Sequence, residues 1–252
     1  MKPLSIQLYT VRDLTKDGNH LKVLQEIADI GYKGVEGHGF GHTPGEFRKI
    51  VNDMGMVVSS TWGPLATPDT VQEAVDLAGE LGTTYLVAGF WIDDLNSPDR
   101  LKASAEKAQT AASLLKPHGI QLCLHNHWME FELYAPGKRP VDYFVENCPD
   151  LCLEIDLYWC AAFGLNKAAD EVRRFASRAS LLHVKDGPLV RGAHQLAVGN
   201  GIVGIDEALN AADPNVTAWH IVELDSYDGP MMDAVRDSYA YLTRKGLSQG
   251  NK

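Results

Sequence analysis

Cysteine is scarce: the chain has four, Cys123, Cys148, Cys152 and Cys160, and no CxxC pair. Three of them fall in or at the ends of expected strands, so they read as buried free thiols in a reducing compartment rather than a disulfide framework. Positive charge is also short. Lys and Arg number 23 against 33 Asp and Glu, for a formal charge of -10. The missing basic footprint argues against a general nucleic-acid binder. No apolar run approaches the roughly 20 residues needed to span a bilayer, and no basic amphipathic stretch marks a membrane surface. The opening LSIQLYTV is too short for a signal peptide and runs straight into the charged RDLTKD. A cytoplasmic protein with no membrane partner is expected. Linkers, repeats and low-complexity tracts are absent too, so residues 1–252 are expected to form one domain.

What is present is alternation. Hydrophobic residues make up 45% of the chain and charged residues 22%, enough for a sizeable core without a disordered composition. Short β-rich runs alternate with longer helical patterns. The expected strands are LSIQLYT, KGVEG, MVVSSTW, TTYLVAGF, GIQLCLHNH, LCLEIDLYW, SLLHVKD and AWHIVELD. Between them, helices are expected over residues 20–30, 44–54, about 70–81, 98–115, 141–147, 167–178, from 206, and 230–245. Gly31, Gly55 and Gly82 act as stop signals. Strict β/α alternation implies a parallel sheet with helical crossovers, and eight units favour closure as a (β/α)8 TIM barrel over an open doubly wound sheet.

Four side chains stand out at the ends of the last four strands: His125, Asp156, His183 and Glu223. Strand alternation puts His125 on the face of Cys123 and His127, opposite Leu122 and Leu124. It puts Asp156 with Cys152 and Glu154, His183 with Leu181 and Lys185, and Glu223 with Ile221 and Asp225. If these faces point into a barrel, all four groups meet at its C-terminal mouth. So many ionisable groups are costly there unless they are paired or bound to a cation. A mixed His/carboxylate set reads as a divalent metal site. Its lack of thiolate suits Mn, Mg, Zn, Co or Fe.

QLYTVRD, GYKGVE, LHNHWMEFE, EIDLYW, LLHVKDG and IVELD, in that order and spacing, resemble the sugar phosphate isomerase/epimerase family from the first strand to the last helix. The resemblance implies a xylose-isomerase-like barrel with one divalent metal at the ends of strands five to eight. It matches Asp156, His183 and Glu223 to the family's Asp, His and Glu ligands. The first ligand departs from the family's epimerases, which carry Glu where this chain has His125; Glu130 or Glu132 is the alternative. Those epimerases also carry a substrate-binding His at the position of Trp159. The HNH sequence resembles the inosose-dehydratase and 3-keto-glycoside branches more closely.

The resemblance implies proton abstraction next to a carbonyl, through a metal-stabilised enediolate. Glu223 is the candidate ligand and base, with His127 or His125 on the opposite side. Lys185 either stabilises an oxyanion or holds a substrate hydroxyl, or else pairs with Asp156 or Glu154. Glu36 either binds a sugar hydroxyl or pairs with an Arg. Trp62, Trp91 and Trp159 either stack on a sugar or wall the pocket. Gly199, Gly201 and Gly204 spell GxGxxG, but late in the chain and not after the first strand of a βαβ unit, so a dinucleotide site is discounted. Two uses remain for that loop: a phosphate or sugar contact, or a lid that brings Arg191 and His194 to the substrate.

A small-molecule carbohydrate substrate and a possible homo-oligomer complete the expectation. A metal-dependent keto-sugar isomerase or epimerase competes with a lyase, dehydratase or hydrolase on an inosose or 3-keto-glycoside. An endonuclease IV-like enzyme and a non-catalytic sugar-binding barrel are the more distant readings.

Overall fold

A computed structural model of the chain describes residues 1–132 and 138–252. Residues 133–137, in the loop expected after the fifth strand, lie outside them. Eight parallel strands form the barrel: β1 Lys2–Gln7, β2 Gly34–Glu36, β3 Val57–Trp62, β4 Tyr85–Ala88, β5 Gln121–His125, β6 Cys152–Asp156, β7 Ala179–Val184 and β8 Trp219–Val222. Each pairs with the next, and β1 pairs with both β2 and β8, which closes the ring. A two-residue strand, β9 Ser248–Gln249, adds to the start of β1.

The outer helices are α1 His20–Ile30, α2 Pro44–Asp53, α3 Val71–Leu81, α4 Pro98–Leu115, α5 Pro140–Asn147, α6 Ala168–Arg174, α7 Ile205–Ala211 and α8 Met231–Arg244. Local sequence explains their ends. Thr43 caps α2 in a reciprocal capping box with Glu46, and Ser97 caps α4; both helices have Pro at the first helical position. Gly82 ends α3 at φ +72°, where a Cβ would run into the Arg48 guanidinium.

Alternation sorts the strands as the sequence predicts. Leu122, Leu124, Leu153, Ile155, Leu182, Val184 and Val222 join the large core between sheet and helices. Val87, Cys123, Leu181 and Ile221 form a separate buried layer from β4, β5, β7 and β8. That layer plugs the barrel below the mouth, as inward side chains do in this architecture. Several boundaries differ from expectation: the first strand ends at Gln7 and Leu8–Val11 forms a 3-10 turn, the fifth ends at His125, and the eighth ends at Val222, one residue before Glu223. The sixth strand stops at Asp156, and Leu157–Cys160 turns into a single helical turn. The sixth helix stops at Arg174 rather than Arg178. No helix among the described residues is long and apolar enough to cross a membrane.

Candidate metal centre

The ends of β5 to β8 converge. One ligand atom each from His125, Asp156, His183 and Glu223 lies within 4.8 Å of the others, and all four residues are buried. An ion held at about 2.0–2.2 Å by its ligands needs donor separations of this order. Asp156 ends β6 and caps the turn that follows: its Oδ1 accepts from the backbone N–H groups of Tyr158 and Trp159, both at 2.9 Å. Its Oδ2 is buried and accepts no hydrogen bond. The Lys185 ammonium lies 2.9 Å from it, outside hydrogen-bonding alignment. One carboxylate oxygen therefore holds the loop while the other keeps its lone pairs for a cation.

Both histidines are backed by carboxylates. His183 Nε2 lies 2.8 Å from Glu36 Oε1 and 3.2 Å from Glu154 Oε2, while Nδ1 lies 2.9 Å from Glu223 Oε2. His125 Nδ1 lies 2.9 Å from Glu154 Oε2, which leaves Nε2 for a ligand. A carboxylate behind a metal-binding imidazole fixes its ring and raises its basicity. Glu36 is fully committed to this task. Beyond His183 it accepts from Gln7 Nε2 (2.5 Å), Ser60 Oγ (2.5 Å) and Trp62 Nε1 (3.2 Å). It is wholly buried and does not line the cavity above, so the expected sugar-hydroxyl or Arg contact is replaced by a bond to His183.

Charge follows geometry. Burial pulls the His183 pKa down, but Glu154, Glu36 and Glu223 outweigh it and push it well above the usual imidazole range. Burial and the His183 charge depress His125 well below that range. Burial and Lys185 depress His127. Burial and neighbouring Glu36 push Glu154 well up, while His183 holds Glu36 down against its burial. Burial lifts Asp156 to about 6 despite Lys185. Lys185 and His183 hold Glu223 well down against burial. Glu36, Asp156 and Glu223 thus outnumber the one fixed cation among them, Lys185, and an ion held by the His183 imidazole would take the place of its proton. With this carboxylate excess and the Asp156 oxygen that accepts no hydrogen bond, the residues fit a divalent metal site.

The remaining candidates divide by position. Lys185 is buried, with its Nζ 2.9 Å from Asp156, 2.8 Å from Glu223 and 2.9 Å from Asp225. The expected pairing with Asp156 is present, and Asp225 is a partner the sequence reading missed. His127 lines the cavity, stacks on Trp91 at 4.8 Å, and has a buried Nδ1 without a partner among the described residues. Glu130 turns away from the cluster and accepts from the His127 N–H. Arg191 pairs with Glu132 and lies over the Phe163 ring; it does not line the cavity. Trp62 ends β3 and meets His125 edge-on at 5.0 Å. Trp159 sits on the turn after β6, 5.3 Å from the Lys185 ammonium. Both tryptophans, with Trp91 and Trp128, wall a cavity of about 770 Å³ whose floor includes His125, Lys185 and Glu223.

A (β/α)8 barrel with a buried His/carboxylate cluster at its C-terminal mouth defines a class of protein. Residues 24–245 match the xylose isomerase-like TIM barrel family, and the chain belongs to it. A sugar phosphate isomerase/epimerase from Parabacteroides distasonis has a crystal structure 24% identical to this chain, with a TM-score of 0.81 over 98% of this chain and 96% of that one. A D-psicose 3-epimerase structure is 15% identical, TM-score 0.71, over 99% of this chain and 100% of that one. A probable 3-DHS dehydratase from Bacillus anthracis is 13% identical, TM-score 0.71, over 96% and 99%. At these identities the likeness carries the fold. No curated protein matches the sequence.

Proposed function

We propose that the protein is a divalent-metal-dependent isomerase or epimerase of a keto-sugar or related carbohydrate, acting by proton abstraction next to a carbonyl. The observation that carries this reading is the buried cluster of His125, Asp156, His183 and Glu223, of which His125 and Glu223 line the cavity above it. A bound divalent cation supplies Lewis-acid polarisation of the carbonyl. The chain's own groups do the rest. Glu223 is ionised and borders the cavity, so its carboxylate can take a proton from carbon. His127 lines the same cavity, and burial and Lys185 depress its pKa, so its imidazole is the candidate second proton-transfer group. Lys185 keeps a fixed positive charge beside both, where it stabilises a developing oxyanion.

One observation favours a second outcome. The position of the first ligand carries His125, held neutral, instead of a carboxylate. A neutral imidazole held between Glu154 and an ion is not the second carboxylate that a two-carboxylate epimerisation needs. A lyase, dehydratase or hydrolase acting on an inosose or 3-keto-glycoside therefore uses the same floor.

The test is metal analysis followed by turnover. Protein reconstituted with Mn, Mg, Zn or Co is expected to hold about one ion per chain. Ketoses, inososes and 3-keto-glycosides are then screened with mass-resolved detection, in which an isomerase conserves mass and a lyase loses water or an aglycone. Glu223→Gln should lower kcat by about 10²–10⁴-fold. A chain that binds no divalent ion, or a Glu223→Gln variant of undiminished activity, overturns the reading.

A further inference from the structure

We propose that the cavity takes an unphosphorylated carbohydrate carrying a second, flat apolar group, an aryl glycoside rather than a sugar phosphate. The inference rests on the reading of the site as a sugar enzyme's and adds its substrate class.

The first ground is that the ordinary phosphate position is already filled. In (β/α)8 barrels the loops after strands seven and eight commonly cradle phosphate with backbone N–H groups. Here the glycine-rich loop after β7 forms such a cradle and closes it on the chain's own Asp186. The Asp186 carboxylate accepts from the N–H groups of Gly187 (2.8 Å), Gly199 (2.9 Å), Gly201 (3.1 Å) and Val203 (3.2 Å). The fit is close: a Cβ at Gly201 would collide with the Asp186 carboxylate and the Gly187 backbone. The GxGxxG of the sequence is thus an anion nest whose anion is a side chain, and Asp186 is 2% exposed.

The second ground is that, among the described residues, the ammonium on the cavity floor is already matched by carboxylates. Two of the cavity's lining residues, Arg12 and Lys185, carry fixed positive charge. The Arg12 guanidinium donates to the carbonyls of Tyr9 (2.8 Å) and Asp225 (2.7 Å) and stacks over the Tyr9 ring. Lys185 is surrounded by three carboxylates. Glu223 and Asp225 also face the cavity, so its lining sets carboxylates beside its cations where a phosphate dianion would enter.

The third ground is size and surface. Seven aromatic rings line a volume of about 770 Å³, four of them tryptophans. That volume belongs with drug-sized ligands. The polar groups lie on the floor, while Trp91, 63% exposed, and Tyr9, 52% exposed, stand at the rim. A sugar ring on the floor leaves the aromatic upper wall for a flat substituent, whose ring faces those side chains by offset or edge-on stacking.

The test compares three probes on the metal-loaded protein by calorimetry and saturation-transfer NMR: D-glucose, D-glucose 6-phosphate and phenyl β-D-glucopyranoside. The phenyl glycoside is expected to bind about tenfold tighter than D-glucose, the gain of one aromatic pair. The 6-phosphate is expected to bind more weakly than D-glucose. Phenyl and sugar resonances should both show transfer from the protein. Equal affinities, tighter binding of the phosphate, or no binding by any probe overturns the proposal. In parallel, the same preparation is assayed for bound metal and for solvent-deuterium incorporation into D-fructose and phenyl 3-keto-β-D-glucoside. Bound metal and exchange without a phenyl preference remove this inference and keep the catalytic reading. A phenyl preference without metal or exchange does the reverse.

Discussion

Lys185 is the residue on which the charge balance of the mouth turns. It is 1% exposed and lies against three carboxylates, two of which belong to the ligand-capable cluster. Burial alone would lower its pKa, but Asp156, Glu223 and Asp225 outweigh burial and hold it well above the ordinary lysine range. Removing one partner of a buried ion pair leaves uncompensated charge and costs about 3–5 kcal/mol. Lys185→Met should therefore destabilise the metal-free protein by about that amount in denaturant titrations with chelator present. The same variant should bind a divalent ion more tightly in calorimetry, because the ion no longer competes with an ammonium. Unchanged stability together with unchanged metal affinity would remove Lys185 from the site's electrostatics.

At the scale of elements, β5 to β8 were legible in the sequence and the connections after them were not. Period-two alternation is a local property, so Cys123 with His125, Leu181 with His183 and Ile221 with Glu223 could be assigned to the inner face without knowing the fold. The turn after β6 could not. EIDLYW reads as continuous strand until the Asp156 side chain is seen to bind the Tyr158 and Trp159 N–H groups. Glu36 and His183 meet across 147 positions of chain, and no spacing rule reaches that far. Nor does a glycine pattern reveal which anion it encloses. The loop after β7 now carries its own prediction. Asp186→Ala strands four buried or half-buried N–H groups, and should cost at least about 3 kcal/mol of stability. Amide exchange at Gly199, Gly201 and Val203 should quicken before exchange in β7 does. Equal protection in the variant would mean the carboxylate does not organise the loop.

For the molecule as a whole, one buried acid outside the cluster sets a pH dependence of folding. Glu130 is fully buried, its Oε1 has no partner among the described residues, and burial lifts its pKa to about 8. The folded protein keeps this proton between the ordinary value of 4.5 and about 8, whereas the unfolded chain has released it. The native state then binds more protons, so this group's contribution to stability falls as pH rises through that window, by up to about 1.4 kcal/mol per pH unit. Denaturant midpoints of the wild type measured from pH 5 to 8 should fall relative to those of Glu130→Gln, which cannot ionise. Parallel curves would show that Glu130 titrates alike in both states.

The acidic mouth also acts before anything touches it. The surplus of carboxylate among Glu36, Asp156, Glu223 and Asp225 sits in a chain of formal charge -10. Its field reaches about one Debye length into solvent, roughly 8–10 Å at physiological salt. Divalent cations are drawn in and encounter the mouth faster as ionic strength falls, while anionic sugars are slowed on the same approach. An uncharged glycoside feels neither effect. The protein thereby sorts its visitors by charge in the rate of arrival, ahead of any selection by shape inside the cavity.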